Sequence, residues 1–155
     1  MKHSTWLALP AIAALLAWAI PRVCYAEQVV AIGGKCLDVP HGNPTNGTGL
    51  EIWQCGQSSP NQRWSFVGET IVGIGGKCLD VEAGRTEDGT RVQVWNCNGG
   101  ANQHWKFVDG QLVGLGHKCM DVTGGSTDNG TPVVLWHCTG SANQKFVLLP
   151  SITTP

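Results

Sequence analysis

Three copies of one string constrain this chain more than any other feature. Gly-x-Lys-Cys-x-Asp-Val stands at residues 33–39, 75–81 and 116–122, and its Asp residues, 38, 80 and 121, set a spacing of 42 and then 41. Each copy continues through the same landmarks. The turn triplets are Asn46-Gly47-Thr48, Asp88-Gly89-Thr90 and Asn129-Gly130-Thr131. A Trp then precedes a second Cys in Trp53-Gln54-Cys55, Trp95-Asn96-Cys97 and Trp136-His137-Cys138. The copies end in Asn61-Gln62-Arg63-Trp64, Asn102-Gln103-His104-Trp105 and Asn143-Gln144-Lys145-Phe146. A repeat of this length is one supersecondary unit that cannot bury its apolar face alone, so the three must share a core.

The first 26 residues stand outside the repeats. Lys2 and His3 precede an apolar run from Trp6 to Ile20, and Cys24-Tyr25-Ala26 supplies small residues at −3 and −1. This pattern predicts a signal peptide cleaved after Ala26. The run falls short of the ~20 apolar residues of a membrane-spanning helix, so no span is expected. Residues 27–155 then form one domain, with repeats of about 27–67, 68–108 and 109–149. Two of the ten basic residues, Lys2 and Arg22, lie in the leader; the other eight face eleven acidic residues, for a net charge of −3. With no basic patch or charge run, nucleic acid and anionic membranes are not expected partners.

Cysteine usage agrees with export. Setting Cys24 aside leaves six, two per repeat, at 36 and 55, 78 and 97, 119 and 138. Equivalent repeats should pair equivalently, either within each repeat or cyclically between neighbours. The within-repeat set is the expectation, each bridge stabilising by about 3 kcal/mol in the chain-entropy model. No Cys-x-x-Cys pair is present, so neither a metal nor any other cofactor is expected.

Short apolar stretches between Gly, Asn and Asp read as strands and turns. Four are expected per repeat: Val29–Ile32, Lys35–Val39, Leu50–Cys55 and Arg63–Val67 in the first, and their equivalents in the others. Twelve strands in three copies make an all-β body of approximate threefold symmetry. Alternation sends Leu37, Val39, Leu50 and Ile52 to the core, and Cys36, Asp38, Glu51, Trp53 and Cys55 to the opposite faces. A Cys36–Cys55 bridge would gather Asp38, Glu51 and Trp53 at one pocket. The same logic gathers Asp80, Gln93 and Trp95, and then Asp121, Val134 and Trp136. In the fourth strand, Trp64 with Phe66, Trp105 with Phe107, and Phe146 with Leu148 are expected in the core, at about 1.5–3 kcal/mol for each buried side chain.

A carboxylate, a flat aromatic and one or two amides suit a polyhydroxylated ring. Trp meets its C–H face, the carboxylate accepts hydroxyl hydrogens, and Asn both donates and accepts. Such a pocket is shallow and exposed, so each site should bind weakly. The same polar residues could brace turns, and for Gln62, Gln103 and Gln144 that duty is at least half of the role expected. His41, His104, His117 and His137 occupy non-equivalent places and point to no shared function. The Asn-Gly-Thr triplets fit a glycosylation sequon, but the matching Asp88-Gly89-Thr90 marks them first as turns.

The Cys-Leu-Asp-Val, Trp-x-Cys and Asn-Gln-x-Trp elements, repeated three times from about Val29 to Leu149 with Met120 and Phe146 as the third copy's variants, resemble the ricin B-type (R-type) lectins and the family-13 carbohydrate-binding modules. The resemblance implies a β-trefoil, disulfides within each repeat, and up to three weak sites for galactose-type sugars or xylan-like glycans. It assigns carbohydrate binding to Asp80, Gln93, Trp95, Asn102 and Gln103, a full match. It also assigns Asp121, Trp136, Asn143 and Gln144, with Val134 in place of an amide, and Asp38, Trp53, Asn61 and Gln62, with Glu51 in that place. The second site should bind best, then the third, then the first. The expectation is a secreted, monomeric, non-catalytic lectin whose partners are glycans or glycoproteins. The alternative is an extracellular protein-interaction or inhibitor module with degenerate pockets.

Overall fold

The computed structural model describes residues 26–150; the expected leader, apart from Ala26, lies outside them. The described chain is all-β, with short 3-10 turns between strands and no α-helix among the described residues. The first repeat holds β1 (Glu27–Val30), β2 (Lys35–Asp38), β3 (Thr48–Gly49), β4 (Glu51–Gln54) and β5 (Ser65–Val67). The second holds β6 (Thr70–Val72), β7 (Lys77–Val81), β8 (Thr90–Asn96) and β9 (Lys106–Val108). The third holds β10 (Gln111–Val113), β11 (Cys119–Val122), β12 (Thr131–Trp136) and β13 (Val147–Pro150). Thirteen strands replace the expected twelve because Leu50 interrupts the third strand of the first repeat. On its two sides the chain serves different partners: β3 pairs with β8, and β4 with β2 and β12.

That change of partner is the closing device of the fold. In each repeat the second and third strands pair antiparallel. The start of the third strand then reaches the third strand of the next repeat. Thr48 and Gly49 lie opposite Val94 and Gln93; Thr90 and Arg91 lie opposite Leu135 and Val134; Thr131 and Pro132 lie opposite Ile52 and Glu51. The three contacts run from repeat one to two, two to three, and three back to one, closing a ring of β-trefoil form. The hairpins follow the same rule. β5 pairs with β6, β9 with β10, and β13 with β1, so each fourth strand joins the first strand of the following repeat and the two ends of the domain meet.

The apolar faces meet inside the ring. Val29, Ile71 and Leu112 come from the first strands. Leu37, Val39, Leu79, Val81, Met120 and Val122 come from the second, and Leu50, Ile52, Val92, Val94, Val133 and Leu135 from the third. Trp64, Trp105 and Phe146 complete the core and are fully or almost fully buried. Each Trp also needs an acceptor for its indole N–H. Trp64 Nε1 donates to the Leu37 carbonyl at 3.1 Å and Trp105 Nε1 to that of Leu79 at 3.3 Å. The cysteines pair within repeats, as 36–55, 78–97 and 119–138, with Cα separations of 5.0, 5.1 and 5.0 Å.

One expected core residue lies outside. Phe107 is 41 % exposed, and Phe66 and Leu148 are only partly buried against the core. Alternation fails there because the chain switches neighbours just before it. Trp105 bonds its backbone N–H to the Glu69 carbonyl, whereas Lys106 opens a hairpin with β10. The period-2 count from Trp105 therefore does not carry into the hairpin.

The core rings press on two glycines. A Cβ on Gly73 would lie 2.5 Å from a ring carbon of Trp64, and one on Gly114 would lie 2.7 Å from Trp105. The equivalent position in the first repeat is Ala31, in the copy of this packing where Phe146 stands in place of Trp. We predict that Gly73→Ala and Gly114→Ala each destabilise by about 1–3 kcal/mol, the usual cost of overpacking a core. Chemical denaturation measures this, and an unchanged midpoint would contradict the packing described.

Candidate functional site

The polar faces of the paired strands build three related pockets. Register sets each one: Asp38 lies opposite Glu51, Asp80 opposite Gln93, and Asp121 opposite Val134. Two residues earlier on the same faces, Cys36, Cys78 and Cys119 lie opposite Trp53, Trp95 and Trp136. Each disulfide thus ties the strand carrying the Asp to the segment that follows the Trp. The pocket volumes are about 550 Å³ at Asp80, 510 Å³ at Asp121 and 240 Å³ at Asp38.

In the second pocket Asp80 is 2 % exposed. A carboxylate so withdrawn from water needs donors. Oδ1 accepts from Gln93 Nε2 at 3.0 Å; Oδ2 accepts from Asn102 Nδ2 at 2.8 Å and Gln103 Nε2 at 2.9 Å. In the first pocket Asp38 Oδ1 accepts from Asn61 Nδ2 and Gln62 Nε2, both at 2.7 Å, and Oδ2 accepts no bond among the described residues. In the third, Asp121 Oδ2 accepts from Gln144 Nε2 at 2.9 Å, and the Asn143 side chain also supports the carboxylate. The aspartates are thus the floors of the pockets, less exposed than the sequence alone suggested.

The neighbouring amides divide their work. Gln62, Gln103 and Gln144 are buried and fully engaged. Their Nε2 groups bond the Asp and the carbonyls of Gln54, Asn96 and His137, and their Oε1 atoms accept the backbone N–H of Gly56, Asn98 and Thr139. These three side chains hold the carboxylates in place. Asn61, Asn102 and Asn143 donate to the carbonyls of Val39, Val81 and Val122. Their Oδ1 atoms accept nothing among the described residues and remain able to take a ligand hydrogen. Trp53, Trp95 and Trp136 stand over the pockets at 44, 38 and 37 % exposure.

Sequence reasoning did not find the contribution of the preceding repeat. The Gly of each turn triplet sits on the next repeat's Trp: a Cβ on Gly47 would lie 3.7 Å from Trp95, on Gly89 3.7 Å from Trp136, and on Gly130 3.8 Å from Trp53. With φ of 90°, 86° and 86°, these positions require glycine for the turn itself. The residue before each Gly fastens the turn in place. Asn46 Oδ1 accepts from the backbone N–H of Asn96 and from Lys77 Nζ, each at 3.0 Å. Asn129 Oδ1 does the same with Gln54 and Lys35, each at 2.9 Å. Asp88 Oδ1 accepts from His137 N at 2.8 Å and Lys118 Nζ at 2.5 Å, and its Oδ2 meets His137 Nδ1 at 2.7 Å. The signal was present as a turn residue and a Lys recurring at fixed places, but only the folded ring reveals that they meet across repeats.

The rims differ. Position 41/83/124 carries His41, Ala83 and Gly124, so one of the histidines without an equivalent does line a pocket. Arg91 and Glu82 line the second pocket, and Val134 gives the third an apolar wall. The His137 ring lies 5.9 Å from that of Trp136. Among the described residues no group of three or more His, Cys, Asp or Glu is placed to hold a metal, and no helix is long and apolar enough to cross a membrane.

Electrostatics separates the carboxylates. Burial pushes Asp38 and Asp121 above the ordinary aspartate value, against the opposing pull of their amide donors. Glu51 is raised by burial first and by the Asp38 charge second. Asp88 goes the other way, held down to about 2 first by Lys118 and then by His137.

The match to known proteins agrees with this geometry. Residues 27–147 match the ricin-type beta-trefoil lectin domain, and the chain belongs to that family of carbohydrate-binding domains. Nigrin b from Sambucus nigra is 42 % identical over 45 residues, a segment spanning 29 % of this chain and 8 % of nigrin b. Among solved structures, the designed threefold-symmetric protein ThreeFoil superposes with a TM-score of 0.73 and 31 % identity, over 79 % of this chain and 96 % of its own. An exo-beta-1,3-galactanase from Clostridium thermocellum superposes with a TM-score of 0.75 and 33 % identity, over 84 % of this chain and 31 % of the galactanase. The C-half of the earthworm R-type lectin, solved with GalNAc, shares the fold at 20 % identity and a TM-score of 0.68, over 81 % of this chain and 98 % of its own.

Two pH effects follow. Because the folded-state value of Glu51 is raised, its charge costs stability above that value, and the cost fades as pH falls toward 4.5. Glu51→Gln should therefore melt ~2 °C higher than the parent at pH 7, with the gap closing as pH falls to 4.5. The depressed Asp88 has the opposite sign. Its contribution is present above 3.8 and is lost as pH falls to about 2, so any stability difference between Asp88→Ala and the parent should shrink across that interval. Melting curves from pH 7 to pH 2 test both.

Proposed function

We propose that this protein is a secreted, non-catalytic lectin that binds glycans through up to three weak pockets. Each pocket would hold a sugar ring against Trp53, Trp95 or Trp136 while hydroxyls donate to Asp38, Asp80 or Asp121 and exchange hydrogen bonds with Asn61, Asn102 or Asn143. The observation that carries this reading is the threefold recurrence of a half-exposed Trp above a buried, amide-braced carboxylate. A core does not need that Trp, and a large apolar ring left facing water is ordinarily part of a contact surface.

The chemistry favours a neutral, polyhydroxylated ligand in the second and third pockets, which are about twice as large as the first. Asp80 accepts three N–H bonds and keeps capacity for one hydroxyl; Asp121, supported by Gln144 and Asn143 and facing Val134 instead of an amide, keeps more. Galactose-type sugars are the first class to test, and xylan-like glycans the second. The similarity to a galactanase at 33 % identity supports galactose-type ligands. Secretion is supported by the sequence pattern that predicts a leader cleaved after Ala26 and by three disulfides, which form and persist in oxidising compartments. Three pockets on one rigid ring would bridge glycans, with avidity exceeding single-site affinity by ~10².

The test is a glycan array with the oxidised protein beside Trp95→Ala, Trp136→Ala and their double variant. Removing an exposed Trp spares the buried aspartate network, so these variants should keep the parent's melting temperature. Galactose- or xylose-containing glycans should bind the parent, with an affinity loss of about tenfold per Trp removed. A folded parent that binds no glycan at multivalent density would overturn the proposal in favour of a protein-contact role.

A further inference from the structure

The three pockets share one frame but differ at the residue facing the aspartate. Gln93 satisfies Asp80, and Val134 leaves Asp121 beside an apolar wall. Glu51 instead sets a second carboxylate directly across the strand pair from Asp38. Like charges in direct cross-strand register are unfavourable, and the one basic side chain lining the pocket, His41, eases the pair only in part, since burial still holds both carboxylates above their ordinary values. The Glu51 carboxylate makes no hydrogen bond or ion pair among the described residues, and Asp38 Oδ2 has no donor there, both amide donors going to Oδ1. The pocket is lined by Asp38, His41, Glu51, Trp53 and Asn61, with neither Lys nor Arg among them. The second pocket, by contrast, carries Arg91 on its wall.

We propose that the first pocket selects a protonated amino sugar, a 2-amino-2-deoxyhexose, and that Glu51 is the residue that determines this specificity. The inference rests on the lectin reading and assigns one of its pockets a different ligand class. An ammonium group supplies three donors and a positive charge, matching two carboxylates and the free Asn61 Oδ1. The half-exposed face of Trp53 suits both the sugar C–H groups and a nearby cation. The small volume favours a compact ammonium over an N-acetyl group. Gln at this place neutralises the site, as in the second repeat, and Val removes its polarity, as in the third, so a single position sorts the three pockets by charge. The titratable groups facing Glu51 are Asp38 and His41.

The experiment isolates the first pocket with a Trp95→Ala/Trp136→Ala background and follows the Trp53 indole N–H by NMR. The ligands are galactosamine and glucosamine, each beside its N-acetylated and neutral counterparts, at pH 7 and two salt concentrations. We expect at least one amino sugar to bind about tenfold more tightly than its N-acetylated counterpart, as charge-assisted hydrogen bonds warrant. The preference should weaken with salt and disappear in Glu51→Gln. Glu69→Gln, at an exposed acid that pairs with Lys106 and does not line the pocket, controls for general negative charge and should leave it intact. No preference for either amine, or a preference that survives Glu51→Gln, would overturn the assignment. Neutral-sugar shifts at Trp95 and Trp136 in the parent would keep the lectin reading standing in that case, and their absence on the glycan array as well would remove both.

Discussion

The structure depends on the loan of each third strand's first residues to the next repeat. A single repeat has a two-stranded face and one disulfide, and it cannot cover Leu37, Ile52 or Trp64 by itself. Pairing Thr48–Gly49 with β8, Thr90–Arg91 with β12, and Thr131–Pro132 with β4 makes the three units one ring. The same segment carries the turn whose Asn46, Asp88 or Asn129 oxygen accepts the next repeat's backbone N–H. Closure of the fold and construction of the pockets are therefore one event: the residues that lock the ring also set a glycine against the next Trp. A sheet closed this way has no free edge among its third strands to recruit a second chain.

The second constraint is the buried carboxylate. Removing Asp38, Asp80 and Asp121 from water is costly unless N–H groups surround them. The fold meets that cost with an Asn-Gln pair from a short 3-10 turn in every repeat. The Gln is consumed by this duty, whereas the Asn keeps an acceptor facing outward. The outcome is a preorganised oxygen at the base of a pocket whose wall is an aromatic ring. Binding strength can then vary through the residue opposite the aspartate without disturbing the brace. Glu51, Gln93 and Val134 illustrate how far that position diverges on an unchanged frame.

Much of the frame was legible in the residues. The landmark spacing gave three copies, alternation separated Leu37 and Val39 from Cys36 and Asp38, and the paired cysteines sat one per polar face. Those deductions used only local geometry, which a two-residue period reports faithfully inside a strand. They failed where the strand ended or changed partner. Phe107 looked like a core residue because it lies two positions from Trp105, yet the chain turns into a hairpin between them. The break at Leu50 was equally hidden, since nothing local announces that one strand will serve two neighbours. His41 was set aside because its equivalents are Ala83 and Gly124, although a rim position tolerates all three.

The sequence by itself determined the threefold plan, the all-β character, and the residues that combine a carboxylate, an amide and an aromatic in every copy. These follow from composition and period, which act over a few residues. Only the tertiary structure decided that each pocket draws on two repeats and that the aspartates lie at its floor. It also decided that Gln62, Gln103 and Gln144 are spent on bracing them. Those facts depend on which strand follows which around the ring and on how far water is excluded. Both arise from contacts between residues distant in the chain, 23 or 24 positions apart for the Gln braces and 49 or more for the turns that lock one repeat to the next, and no local pattern encodes them.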